Sequence, residues 1–259
     1  MNRVSKIILV LLIVILTISS YFFIKELVEN KKETDIFENL QEIAQDTENT
    51  TNENPITDIL ENDEGNMSSQ NSYNLENISE INSDVIGWIK IDGTNIDYPV
   101  MQKGDFYLHK NIYKNYSSHG TPYLAEYCNL KSSDNLIIYG HHMNDNTMFS
   151  QLEKYKNYSF YQNHKYIKFY TIENGITTEN IYEIMIAFKT IAYSDAGFRY
   201  YSYTNFQNVE DYEEFVDNCR NLEFYNTGVA GTNNDKYITL STCEYSQKNG
   251  RMVVVAKKV

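Results

Sequence analysis

The sequence predicts a mainly β domain with inserted helices, preceded by an apolar N-terminal helix and a polar tether. Three observations carry this prediction: one long apolar run near the N-terminus, a strongly acidic segment after it, and eight short strand-like runs in the rest of the chain. Residues 1–29 hold three basic and two acidic side chains, whereas residues 30–80 hold two basic and thirteen acidic ones. The remaining block is nearly neutral and has the size of one ordinary domain.

Composition excludes two classes of protein. The formal net charge is −13 and no basic block is present, which argues against a nucleic-acid binder. The mean hydropathy of −0.50, with one long apolar run, excludes a membrane protein with several spans.

The apolar run covers residues 7–24 and contains no charge. A helix of about 20 such residues spans the hydrocarbon core of a bilayer. Arg3 and Lys6 precede the run as in a signal peptide, but the run is long for a cleavable one and no Ala-x-Ala site follows. We therefore predict an uncleaved, single-pass anchor within residues 1–29. Basic residues flank the run on both sides, so charge alone leaves its orientation open.

Residues 30–74 are rich in Asn, Glu, Asp, Thr and Ser. Such a segment cannot bury enough apolar surface to offset the entropy of ordering, which predicts a largely disordered, acidic tether. One apolar stripe within it predicts a short helix, with a partner-binding helix as the alternative. The stripe consists of Ile36, Phe37, Leu40, Ile43 and Ala44.

The C-terminal domain is predicted to cover residues 75–259. Its strand-like runs are residues 86–91, 95–100, 121–125, 135–139, 165–172, 176–191, 236–242 and 251–257. Asp92-Gly93 and Asn174-Gly175 are strong hairpin signals. Many short strands favour an antiparallel barrel or sandwich over a parallel sheet. Apolar spacing predicts helices near residues 75–81, 148–155 and 209–222.

Candidate chemistry lies at three strand ends. Cys243 ends one run and Arg251 opens the next. A thiolate is a competent nucleophile, and a nearby guanidinium favours its charge and can hold an oxyanion. His141 and His142 follow another run through Gly140 and offer an acid or base. This spacing permits cysteine catalysis without requiring it.

The other cysteines and a metal site carry weaker signals. Cys219 lies on the apolar stripe of the last helix, as a buried thiol would. Cys128 follows a predicted strand, and the sequence leaves open whether it pairs with Cys219 in a disulfide. The adjacent His141 and His142 rarely face one ion together, and no CxxC or HExxH spacing occurs, so a metal site is disfavoured.

Several motifs resemble those of the sortases, cysteine transpeptidases that anchor surface proteins to the Gram-positive cell wall. Residues 239–243 read TLSTC and look like the TLxTC signature of that family. Residues 138–149, which include His141, resemble the histidine-bearing segment of class B sortases. Residues 87–100 and the predicted helix before the catalytic strand also look like class B. Arg251 falls where the family has its third catalytic residue, and the resemblance covers residues 75–259.

The resemblance implies an eight-stranded sortase-type β-barrel and a role for each matched residue. Cys243 would be the nucleophile, His141 the acid and base, and Arg251 the oxyanion and substrate clamp. His142 would be supporting or incidental. The residues flanking the nucleophile would line the substrate groove: Ser241, Thr242 and Glu244. No metal or organic cofactor is implied.

The implied substrates are secreted proteins that carry a C-terminal sorting motif similar to Asn-Pro-x-Thr-Asn or Leu-Pro-x-Thr-Gly. The enzyme would cleave at the Thr carbonyl through a Cys thioacyl intermediate and transfer the product to an amine of a peptidoglycan precursor or cross-bridge. The catalytic domain would then face outward from the cell membrane. A pilin-polymerising sortase, a hydrolytic cysteine protease and a non-catalytic adhesin on an acidic stalk are the alternatives.

Overall fold

The computed structural model describes residues 3–45, 73–193 and 197–259, which divide between two compact units, Met1–Leu40 and Gln41–Val259. Helix α1, Arg3–Gln45, forms the described part of the first unit and enters the second with its last turn. By length and composition, α1 qualifies as a membrane-spanning helix.

The start of the expected tether is helical. The short helix expected at residues 36–44 is part of α1, which continues to Gln45. Residues 25–45 contain no Gly or Pro and are rich in Glu, Lys, Leu and Gln, all of which support a helix once it has been nucleated. The rest of the expected tether, residues 46–72, lies outside the described residues.

Eight strands form the body of the second unit. They are β1 Val85–Lys90, β2 Asp97–Met101, β3 Tyr123–Leu124, β4 Asn135–Tyr139, β5 Tyr166–Glu173, β6 Ile176–Ile191, β7 Tyr237–Glu244 and β8 Gly250–Lys258. The further α-helices are α2 Glu76–Ile81, α3 Tyr158–Asn163 and α4 Val209–Arg220, and 3-10 helices cover Phe106–His109, Ser150–Lys156 and Tyr200–Ser202. The helix expected near residues 148–155 is therefore a 3-10 helix followed by α3.

The strands close into a barrel in the order β1, β2, β3, β4, β7, β8, β6, β5 and back to β1. Both expected hairpins are present, because β1 pairs antiparallel with β2, and β5 with β6. Asn174 and Gly175 have φ angles of 52° and 77°. Both residues thus adopt the left-handed conformation that a tight hairpin turn requires.

The barrel is mixed, which corrects the expectation of an antiparallel barrel or sandwich. β2 pairs parallel with β3, and β4 pairs parallel with β7 along its whole length. A tight hairpin can join only antiparallel neighbours, whereas long crossovers allow parallel ones; β5, β6 and α4 lie between β4 and β7 in the chain. As a result, β4 and β7 end at the same rim of the barrel.

The second unit includes residues that precede the expected boundary at Leu75. Tyr73 is 1% exposed, and its hydroxyl donates to the Asp97 carboxylate at 2.7 Å. Gln45 Nε2 donates to the Tyr73 hydroxyl at 3.0 Å, and Gln41 Nε2 donates to the Asp97 carbonyl at 2.9 Å. This side of the barrel is therefore covered by residues on both sides of the undescribed segment.

Candidate active site

Cys243 and Arg251 are direct partners across the β7–β8 pair. Opposite residues of an antiparallel pair project from the same face of the sheet, so the thiol and the guanidinium share one face. Arg251 Nη1 donates to the Gly250 carbonyl at 2.9 Å, and its guanidinium carbon lies 5.7 Å from the centre of the Tyr193 ring. These contacts fix the arginine beside the cysteine, which is partly exposed.

His141 follows β4 at the same rim. Its main chain is held by Phe149, whose N–H donates to the His141 carbonyl at 2.9 Å. Its ring is held by Leu108, whose carbonyl lies 2.7 Å from Nε2. Because a carbonyl only accepts, Nε2 carries the proton and Nδ1 is left for chemistry. Burial lowers the pKa of His141, and the nearby His109 and His119 lower it further, against the opposing effect of the bond to Leu108.

His142 has a different environment. Its Nδ1 donates to the carbonyl of Cys243 at 2.9 Å, and its ring lies 5.0 Å from the Tyr245 ring. The Tyr245 hydroxyl in turn donates to the His142 carbonyl at 3.1 Å. His142 therefore ties the loop after β4 to the main chain of Cys243.

A cavity of about 530 Å³ opens at this rim. Cys243, His141 and Arg251 all line it, whereas His142 does not. Its walls are rich in tyrosine, namely Tyr123, Tyr127, Tyr139, Tyr193, Tyr200 and Tyr201. Burial raises the pKa of Tyr123 to about 12, with the charge of Asp105 adding to the effect. The phenol therefore stays neutral near pH 7 and offers a ring face and a hydroxyl to the cavity.

The three predicted groove residues have unlike environments. Ser241 and Thr242 line the cavity, and the Ser241 hydroxyl lies 2.6 Å from that of Tyr200. Glu244 is not among the lining residues; it is buried and accepts from Lys156 at 2.9 Å. Side chains alternate faces along a strand, so Glu244 projects from the face opposite Cys243.

Sequence reasoning missed the contribution of Leu108 and of the cavity tyrosines. Leu108 acts through a backbone carbonyl, which no side-chain pattern reveals. The tyrosines come from several separate segments of a chain that has 23 of them. Tyr139 directly precedes Gly140-His141, and this closeness in sequence was the one local signal for a tyrosine in the cavity.

All three cysteines are free, so the disulfide left open by the sequence is not formed. Burial raises the pKa of both the Cys128 and the Cys219 thiols. Cys219 is fully buried on α4, as its position on the apolar stripe predicts. Both thiols are thus poor nucleophiles compared with a partly exposed one beside an arginine.

Comparison with known proteins decides the family. The family model described as the sortase domain matches residues 89–259. The chain belongs to the sortase family. The sortase is 34% identical over 265 residues to sortase B of Staphylococcus aureus (strain NCTC 8325 / PS 47), covering 99% of this chain and 97% of the relative. It is also 35% identical to sortase B of Listeria monocytogenes over 191 residues, 71% of this chain and 74% of the relative.

Solved structures agree with this assignment. A structure of a Staphylococcus aureus sortase B–substrate complex superposes with a TM-score of 0.71 at 33% identity, covering 90% of this chain and 98% of that one. The resemblance to class B sortases and the eight-stranded barrel of the sortase fold are therefore confirmed. The chain is a member of a family of cysteine transpeptidases that act at the cell surface.

Proposed function

We propose that this sortase cleaves a C-terminal sorting motif of secreted proteins at its Thr carbonyl and transfers the product to an amine of the cell-wall peptide. The observation that carries the proposal is the meeting of Cys243, His141 and Arg251 on the wall of one cavity. Each residue type fits one part of the reaction: a nucleophile, a proton carrier and a fixed positive charge.

In the first step, the Cys243 thiolate attacks the Thr carbonyl carbon and forms a carbon–sulfur bond. The negative charge that develops on the carbonyl oxygen is stabilised by the Arg251 guanidinium, which the contacts to Gly250 and Tyr193 hold in place. The carbon–nitrogen bond then breaks, and protonated His141 gives its proton to the leaving amine. The product is a thioacyl enzyme.

In the second step, the amine of a peptidoglycan precursor or cross-bridge attacks the thioacyl carbon. Neutral His141 takes one proton from that amine, the carbon–sulfur bond breaks, and the thiolate and the protonated imidazole are restored. Acylation needs a protonated His141, and the lowered pKa of His141 disfavours that protonated form.

The walls of the cavity suit an extended peptide. Four strands contribute lining residues in the order β3, β4, β7 and β8, which spans about 14 Å at the usual spacing between strands. An extended peptide of about four residues covers that length. We propose that Ser241 and Thr242 lie along this groove, and that Glu244 supports it from behind through Lys156.

We further propose that α1 crosses the cell membrane once, with the barrel on the extracellular side. The length and apolar composition of α1 support the crossing. The outward orientation is supported by the substrates, since secreted proteins and cell-wall amines both lie outside the membrane.

The test uses pentapeptides of the Asn-Pro-x-Thr-Asn and Leu-Pro-x-Thr-Gly types with and without an amine acceptor such as triglycine. We expect mass spectrometry to detect a thioacyl adduct on Cys243 and, with the acceptor, a ligated product. Release of the free acid alone in the presence of acceptor would favour a hydrolytic protease. Ligation to a lysine-bearing pilin peptide but not to cell-wall amines would favour a pilin polymerase, and absence of any adduct would favour an adhesin.

Two matched variants test the choice of histidine. His141→Ala should abolish the adduct because no group protonates the leaving amine, whereas His142→Ala should keep much of the activity. The two residues are neighbours in sequence, so each variant controls for general damage to the loop. A wild-type rate in His141→Ala together with loss in His142→Ala would overturn the proposed role of His141.

A further inference from the structure

His109 lies against the ring of His141, outside the set of residues that the proposed reaction uses. The two imidazole centres are 5.3 Å apart and their planes meet at 27°. His109 also stacks with Tyr116, at 6.4 Å and 24°. His109 thus contacts both His141, which lines the cavity, and Tyr116, which is 73% exposed.

The same short segment also holds the ring of His141 at its edge. Leu108 and His109 are neighbours in the 3-10 helix Phe106–His109. The Leu108 carbonyl fixes Nε2 of His141 at 2.7 Å, while the His109 ring covers one face of that imidazole. The hydrogen bond at Nε2 alone would leave the His141 imidazole free to rotate about the axis of that hydrogen bond. The stacked His109 ring blocks this rotation.

The 3-10 helix is anchored firmly enough for this task. Tyr107 is fully buried, and its hydroxyl donates to Asp84 at 2.7 Å. The Tyr107 carbonyl accepts from the Thr121 N–H at 3.0 Å, and the His109 carbonyl accepts from the Ser117 N–H at 3.1 Å. The segment is thus bonded at Tyr107 and at His109 itself.

Gly120 allows the chain around it to approach the 3-10 helix Phe106–His109 closely. Its φ angle is +60°, and a Cβ atom there would lie 2.3 Å from the Leu108 carbonyl oxygen. Any larger residue would push away the carbonyl that holds His141. The backbone at Gly120 therefore packs directly against the Leu108 carbonyl, with no room for a side chain between them.

We propose that His109 is a positioning residue, which holds the His141 imidazole by stacking so that its Nδ1 atom serves both proton transfers. This inference rests on the proposed function of His141. It adds a residue whose side chain acts on the proton carrier and does not line the cavity.

Other ionisable groups near His141 also influence its titration. His119 is buried, and its Nε2 lies 2.9 Å from Asp145. Burial alone would raise the pKa of Asp145, but the hydrogen bonds from Thr147 and His119 outweigh it and lower that pKa. The acidic and basic side chains that line the cavity are Asp105, Glu126 and Arg251. None of these is altered by a substitution at His109.

The experiment compares His109→Ala with His109→Phe. His109→Ala removes the stacked ring, so kcat for acylation should fall by about 10- to 100-fold, because a misplaced catalytic group costs that much, while KM stays unchanged. His109→Phe keeps a flat ring and should retain most of the rate. His164→Ala is the control, since His164 also stacks on a ring, Phe160 at 4.0 Å, but lines another pocket.

A second readout does not depend on turnover. The pKa of His141, followed by NMR in a Cys243→Ala background, should rise in His109→Ala, because both burial and the charge of His109 lower it in the native protein. In His109→Phe the rise should be smaller, since the ring still excludes water. His164→Ala should leave the titration unchanged.

The outcomes separate the two levels of the proposal. Absence of any adduct in the native protein would refute the proposed function, whereas the NMR titration would still report on the stack. An unchanged rate and an unchanged His141 titration in His109→Ala would overturn the positioning role. A rise in KM with unchanged kcat would also overturn it, because it would show that His109 contacts substrate.

Discussion

Removal of Tyr73 should destabilise the barrel strongly, although this residue precedes the boundary that composition predicts. We compare two soluble versions of the chain that lack the apolar helix, one beginning at Gln41 and one beginning at Leu75. The second lacks Tyr73, whose ring packs between Trp88 at 5.4 Å and Tyr170 at 4.7 Å. Loss of the Tyr73 ring leaves a cavity between these two side chains. Neither water nor movement of the neighbouring side chains fills it well.

The size of the effect follows from these contacts. Truncation of a buried large aromatic side chain costs about 3–5 kcal/mol. The Asp97 carboxylate loses the Tyr73 hydroxyl but keeps Trp88 Nε1 at 2.6 Å and Lys90 Nζ at 3.2 Å, so it is not left unpaired. For a domain of this size each kcal/mol shifts Tm by about 2–4 °C, which gives a fall of about 6–20 °C.

Thermal unfolding followed by circular dichroism measures the difference, and two variants of the longer version are the controls. Tyr73→Ala should account for most of the fall in Tm of the shorter version, which also lacks the hydrogen bond from Gln41 to the Asp97 carbonyl. Tyr73→Phe keeps the ring and loses the hydroxyl, so it should cost only about 1.5–3 kcal/mol, as for a hydrogen bond to a charged group. Equal Tm values for the versions beginning at Gln41 and at Leu75 would refute the reasoning.

Three further predictions concern the rim of the barrel. Arg251→Lys keeps the charge but loses the planar fork, so acylation should slow by about 10²- to 10³-fold while the fold is retained; a wild-type rate would show that charge alone suffices. Brief alkylation of the native protein, read by peptide mass mapping, should label Cys243 before Cys219, because Cys219 is fully buried; the reverse order would contradict the assignment. Glu244→Gln should lower Tm at pH 7, since Glu244 is buried against Lys156. Burial raises the pKa of Glu244, but the bonds from Lys156 and Ser246 outweigh it and lower that pKa, so the native stabilisation is present above the unfolded pKa and is lost as pH falls through the folded one. The Tm difference should therefore shrink in acid, and a constant difference would show that the carboxylate charge is not its cause.

Strands and hairpins were readable from the sequence because their signals are local. The run at residues 135–139 coincides with β4, and Asn174-Gly175 turns the chain between β5 and β6. Strand order was not readable, because nothing in a strand records which distant strand it pairs with. The parallel pairings of β2 with β3 and of β4 with β7 were missed for this reason.

The candidate site was readable in part. Cys243, His141 and Arg251 were selected from their places at strand ends, and the resemblance to the sortases assigned each a role. Their common cavity depends on strand order and could not be derived from spacing. The environments of Glu244 and Leu108 were also beyond the sequence, since one depends on the face of a strand and the other on a backbone carbonyl.

The parallel pairing of β4 with β7 also sets when activity can arise during folding. The hydrogen bond from His142 to the Cys243 carbonyl joins residues 101 positions apart, and β8 with Arg251 is the last strand of the chain. Contacts between such distant residues form only after a large loss of chain entropy, so they form late. Cys243, His141 and Arg251 therefore remain apart in any partly folded chain. The proposed reaction therefore cannot begin until the barrel has closed.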